Sequence, residues 1–117
     1  MINIPFSTVG YITYKRTYAR RLDETNPQSA TEEFVDTVDR VILSANEQLG
    51  CGFTQEEQDR LRKYMLELKG TVAGRFLWQM GTETVDRLGL ASLQNCAATV
   101  VNDPVRPFTW AMDMLML

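Results

Sequence analysis

A mainly α-helical chain that does not close into a complete fold is what this sequence predicts, on three observations. Two capping-box patterns each precede an amphipathic segment, "SATE" before Phe34 and "TQEE" before Leu61. One small, β-branched run, "CAATVV", has no second strand-like segment to pair with. The last segment, "RPFTWAMDMLML", is apolar around nearly its whole circumference, the pattern of a helix buried inside something larger.

The bulk numbers narrow the classes. At 117 residues the chain is one domain at most, and 44% hydrophobic content separates it from a disordered tail. A formal net charge of -3 argues against a general nucleic-acid coat, so any polyanion site must be local. No apolar run reaches the eighteen or so residues that span a bilayer, and "MINIPFSTVG" lacks the basic start and apolar centre of a signal peptide. The expected location is the cytosol, where a structural disulfide between Cys51 and Cys96 is not expected. With no histidine, most zinc-site designs are removed as well.

Residues 1–28 read as irregular or briefly helical, punctuated by Pro5, Gly10 and Pro27. Within them "GYITYKRTYARRL" gathers Lys15, Arg16, Arg20 and Arg21 among Tyr11, Tyr14 and Tyr18. Interleaved rings and cations suit a single-stranded nucleic-acid groove. A solvated face beside a tyrosine packing edge has the same composition, and both readings stand at this point. A helix over about 31–48 follows, with Phe34, Val38, Val41, Ile42 and Ala45 on its inner face. "GCGF" makes a loop, and a second helix starts at Thr54, with Leu61, Tyr64, Met65 and Leu68 inward and Gly70 as its left-handed terminator. The two form a helical hairpin.

Beyond it, Gly74, Gly81 and Gly89 read as turn-makers, since no phosphate-loop spacing is present. "CAATVV" suits a buried strand, closed by the Asn102-Asp103-Pro104 turn, and Pro107 is a good first helical residue. For chemistry, Cys96 is the candidate nucleophile or redox residue, against an inert buried thiol; Cys51 reads as exposed and incidental. Paired acids such as Glu56 with Glu57 and Asp36 with Asp39 read as solvent-facing, and Met112, Met114 and Met116 as core.

"GYITYKRTYARRL", "GRFLWQMGT", "SLQNCA" and "PFTWAMDMLM", in this order and at these separations, resemble the start of the adenosylcobalamin-dependent (class II) ribonucleotide reductases, particularly the monomeric ribonucleoside-triphosphate reductase type. The resemblance covers nearly all of this chain and the first part of the family's. It implies a ten-stranded α/β barrel in which a thiyl radical reduces ribonucleotides. It places an N-terminal helical region at 1–90, and the first barrel strand with its following helix at 91–117. The barrel would be completed by a second chain carrying the C-terminal remainder, or by a missing segment. By resemblance Cys96 is one member of the redox-active pair and the proton donor to the leaving 2′ hydroxyl. Asn95 would face the ribose, and Gly74 and Arg75 would lie near the substrate phosphates. Adenosylcobalamin would be held mainly by the remainder, with a thioredoxin-type protein as reductant. The radical cysteine and the partner of Cys96 are not matched here. Two other functions remain in view: a noncatalytic single-stranded nucleic-acid module, and a regulatory fragment that docks on an intact enzyme.

Overall fold

The computed structural model describes residues 3–94 and 96–114. Six α-helices and a 3₁₀ turn make up the described secondary structure, together with one isolated antiparallel bridge between Arg21 and Thr31.

Helix α1 (Thr8–Thr17) starts where the Ser7 hydroxyl accepts the Gly10 amide at 3.1 Å, and it ends with Lys15 and Arg16 against the negative end of the helix dipole. The connection to α2 (Phe34–Leu49) is pinned by the Arg21–Thr31 bridge and by the Glu32 amide donating to the Arg20 carbonyl at 2.8 Å. The expected Ser29–Glu32 capping box is not formed. Ser29 Oγ instead accepts the Asp23 amide at 3.0 Å, and Glu32 is drawn inward as described below. The cap lies four residues later, at Glu33, whose amide donates to the Asp36 carboxylate at 2.9 Å. The inner face of α2 is the expected one: Phe34, Val38, Val41 and Ile42 are buried and Ala45 packs beside them.

Asn46 closes the hairpin loop with two hydrogen bonds to the backbone of Phe53, at 2.8 and 3.1 Å. The second capping box is present: Thr54 Oγ1 accepts the Glu57 amide and Glu57 accepts the Thr54 amide at 2.9 Å, opening α3 (Gln55–Leu66). The buried face of α3 agrees with expectation at Met65 and differs elsewhere. Met65 and Leu66 enter the core, while Leu61, Tyr64 and Leu68 stay exposed. The rotation agrees with Arg62, which grips Asp39 of α2 through two hydrogen bonds of 2.6 and 3.1 Å. The left-handed residue after α3 is Leu68 (φ 53°), not Gly70, because the helix already stops at Leu66.

Two short helices, α4 (Gly74–Gln79) and α5 (Glu83–Leu88), lead into the 3₁₀ turn Gly89–Leu93. Gly81 joins them at φ 80°, in contact range of α2: a Cβ there would sit 2.7 Å from Ser44 Oγ, so only glycine fits. The core forms two adjoining clusters on either side of α2. One holds Tyr14, Phe34, Val38, Ile42, Met65, Leu66 and Leu77, and the other Val41, Met80, Val85 and Leu93. Phe6, Tyr14 and Phe34 pack as an aromatic trio with centroids 5.0–5.8 Å apart.

Leu93 is the last buried residue before the chain leaves this body. Residues 96–101 are exposed and form no strand among the described residues. The expected buried strand is therefore not seen here, for the reason that a strand needs a ladder partner and none of the described segments offers one. Asp103 Oδ1 accepts the amides of Val105 and Arg106 at 2.8 Å each and opens α6 (Arg106–Asp113), in which Pro107 lies in the first turn as expected. An Arg87–Asp113 contact of 3.4 Å links α6 to α5, while Phe108, Trp110 and Met112 are exposed. The radius of gyration, 16.4 Å, exceeds the value of about 13 Å expected for a compact domain of this length, in keeping with the outlying segment. Among the described residues no helix is long and apolar enough to cross a membrane.

Candidate functional site

The two best-marked sequence stretches, 10–22 and 74–82, meet through a buried polar hub. Its centre is Glu32, only 6% exposed. Glu32 Oε1 accepts from the Arg20 amide (3.0 Å), Thr37 Oγ1 (2.7 Å) and Arg40 Nη2 (2.5 Å), and Oε2 accepts from Arg40 Nε (3.2 Å). The rest of the Arg40 guanidinium turns to the end of α4, where Nη1 donates to the Met80 carbonyl at 2.5 Å and Nη2 to the Leu77 carbonyl at 2.7 Å. On the other side Tyr14 OH lies 2.7 Å from Thr37 Oγ1. One carboxylate and one guanidinium thus fasten α1, α2 and α4 together.

The electrostatics follow from this geometry. Burial would raise the Glu32 carboxyl, but the Arg40 hydrogen bond, then those from the Arg20 amide and Thr37, hold it below the usual carboxylate range. Burial of Tyr14 pushes its phenol well above the ordinary tyrosine value. Neither group is poised for proton transfer near neutrality, so the hub is a fastening. Sequence reading missed it, since Glu32 was assigned to a helix cap and Arg40 was given no role; a pair eight residues apart is not one of the i,i+3 or i,i+4 neighbours that a helix face brings together.

The basic stretch is largely spent inside the fold. Lys15 pairs with Glu33 at 2.7 Å and donates to the Glu32 carbonyl at 3.1 Å, while Tyr11 OH reaches Glu33 at 3.3 Å. Arg20 pairs with Glu24 and donates to the Trp78 carbonyl at 2.6 Å. Arg16 and Arg21 are exposed. Tyr14 is only 3% exposed, so the three tyrosines do not form an open stacking ladder. An open cleft of about 510 Å³ lies between Tyr18, Arg21, Glu24 and Trp78.

Gly74 and Arg75 open α4. The Tyr18 ring lies over Gly74 so closely that a Cβ would stand 2.9 Å from its Cε1. Gly74→Ala is expected to cost about 1–3 kcal/mol through overpacking, read as a lower urea midpoint at unchanged m-value. Arg75 Nη1 donates to the Ser92 carbonyl at 3.3 Å. Cys96 is exposed with a free thiol, four residues beyond Ser92. Asn95 lies outside the described residues. Cys51, also free and exposed, sits in the α2–α3 loop. The structure thus brings Arg75 to the turn that precedes Cys96, while Gly74 packs under Tyr18.

A family model described as the ribonucleotide reductase alpha domain matches residues 2–82. The chain belongs to the ribonucleotide reductase alpha family. The matched residues of this reductase segment contain the whole Glu32–Arg40 hub and both stretches that it joins. Over 96% of its length the segment is 36% identical to an adenosylcobalamin-dependent ribonucleoside-triphosphate reductase of Euglena gracilis, covering 17% of that protein. It is 31% identical to a probable reductase of the same name from Dictyostelium discoideum, over 96% of this chain and 16% of the relative. With the Lactobacillus leichmannii enzyme it shares 38% identity over 75% of this chain and 13% of the relative. No solved structure matches. The reductase segment therefore spans a small part of the relatives it matches.

Proposed function

We propose that this chain is the N-terminal component of an adenosylcobalamin-dependent ribonucleotide reductase and supplies Cys96 to its active site. Its helical body is closed, while the segment carrying Cys96 is not. That segment leaves the body after Leu93 with Val100 77%, Val101 65% and Phe108 52% exposed, an apolar surface that a completed barrel would cover. This observation carries the reading, and the relatives' names support the reaction.

In this reading the remainder of the reductase, including the adenosylcobalamin site, is a second chain. The substrate is a ribonucleotide, a triphosphate in the relatives so named. A thiyl radical on another cysteine takes the 3′ hydrogen of the ribose. Cys96 then protonates the 2′ hydroxyl, which leaves as water, and the thiolate so formed joins its partner cysteine as a disulfide. When the 3′ hydrogen is returned, C2′–OH has become C2′–H, two thiols have become one disulfide, and one water has formed. A thioredoxin-type dithiol restores the pair. Asn95 stands beside the ribose and the backbone at Gly74 runs near the phosphates, while the Arg75 side chain donates to the Ser92 carbonyl.

Co-expression with the remainder is expected to give a complex that reduces ribonucleotides only when adenosylcobalamin is added. An assembled complex that carries the cofactor and shows no reduction would overturn the reading.

A further inference from the structure

We propose that Arg75 is a positioning residue that anchors the 3₁₀ turn from which Cys96 departs, so that its contribution to turnover is through the placement of Cys96 and not through a phosphate. The proposal rests on the reductase reading for its catalytic consequence, but the anchoring itself does not.

The argument begins with α4, which is gripped along its length. Tyr18 packs on Gly74, Arg20 binds the Trp78 carbonyl, and Arg40 binds the carbonyls of Leu77 and Met80. From this fixed helix Arg75 reaches across to the Ser92 carbonyl at 3.3 Å. The turn it meets has its own internal hydrogen bonds, from Ser92 Oγ to the Gly89 carbonyl at 2.9 Å and from the Gln94 amide to the Ala91 carbonyl at 3.2 Å. Ser92 is fully buried and Leu93 seats in the Val41–Met80–Val85 cluster. Every described residue from Gln94 to Val101 is exposed. The Arg75–Ser92 link therefore sits at the last fixed point before Cys96.

The magnitude follows from chain length. With Leu93 seated, three residues separate a buried anchor from Cys96, a reach of at most about 11 Å. If the turn is released, the preceding buried residue is Val85, and eleven residues give a reach of at most about 40 Å. Effective concentration falls roughly as the −3/2 power of tether length, which predicts a loss of about sevenfold at the site that Cys96 must meet.

Arg75→Ala and Arg75→Lys in the full 117-residue chain test the anchor by amide hydrogen exchange. Expected for Arg75→Ala is at least tenfold faster exchange at residues 92–94, with the amides of Val38–Ile42 within twofold of the parent, and partial recovery in Arg75→Lys. Unchanged exchange at 92–94, or equal acceleration throughout α2, would overturn the proposal. In the assembled reductase Arg75→Ala is expected to lower kcat about five- to tenfold with the nucleotide KM within twofold, and Arg75→Lys to restore part of it. A raised KM at unchanged kcat would mark a phosphate contact and overturn the positioning role. If the parent complex has no turnover, the reductase reading fails by itself, and the exchange comparison still decides the anchor.

Discussion

In the assembled reductase, Cys96→Ser is expected to lower turnover with a thioredoxin-type reductant by about 10³-fold or more, the upper part of the range for removal of a general acid. Two losses combine. A serine hydroxyl is a far weaker acid than a thiol of ordinary pKa about 8.5, and it cannot form the disulfide that carries the electrons away. Because Cys96 is exposed in this chain, the substitution leaves no cavity and the denaturation midpoint of the isolated chain is expected to stay within experimental scatter. Cys51→Ser, on the α2–α3 loop, is expected to change neither turnover nor stability. Full turnover by a Cys96→Ser complex would remove this thiol from the chemistry and favour a docking or regulatory role for the chain.

The largest stability effect is expected at Arg40. Arg40→Met leaves the Glu32 carboxylate buried without its partner and strips the Leu77 and Met80 carbonyls of their donor. Breaking a buried pair in this one-sided way costs about 3–5 kcal/mol, roughly a fifth or more of the 5–15 kcal/mol stability of a typical domain. The urea midpoint should fall accordingly with little change in m-value. Arg40→Lys should recover part of the loss, since one ammonium cannot span four acceptors. The same hub gives the fold an acid limb. The folded Glu32 carboxyl is held below its unfolded value of about 4.3, so its stabilisation is complete above roughly pH 5 and is lost as pH falls through the folded value. Glu32→Gln is expected to be less stable at neutral pH and to show a shallower decline between pH 5 and pH 3; an unchanged slope would show that Glu32 does not carry the acid limb.

What could be read from the residues was local. Thr54 and Glu57 announce α3 because a capping box is complete within four residues, and the inner face of α2 repeats over four turns. The Ser29–Glu32 pattern has the same form and failed, because Glu32 finds Arg40, Thr37 and the Arg20 amide, a competition that no window of four residues contains. α4 and α5 are six residues each, less than two turns, and periodicity cannot develop in that length. The segment 96–101 has the β-branched composition of a strand, yet whether such residues pair depends on neighbours that the described residues do not supply. The thiol of Cys96 stood out by residue type, whereas the Arg75–Ser92 link that precedes it depends on two turns of structure whose approach is tertiary.

The way Arg20 and Arg40 reach Trp78 and Met80 also sets an order in time. These links join residues separated by 58 and 40 positions, so none of them can form during synthesis until the chain has emerged past Met80. At about 5–20 residues per second, α1 and α2 wait about 2 s or more at the ribosome before Arg40 can bind the carbonyls at the end of α4. Once Leu93 is out, the body can close, and Val100, Val101, Phe108 and Trp110 then follow into water as an uncovered apolar stretch. In the proposed two-chain reductase the helical body would thus be finished first and would present a surface open to aggregation until the second chain covers it, so that the supply of that chain would be a matter of timing as well as of contact.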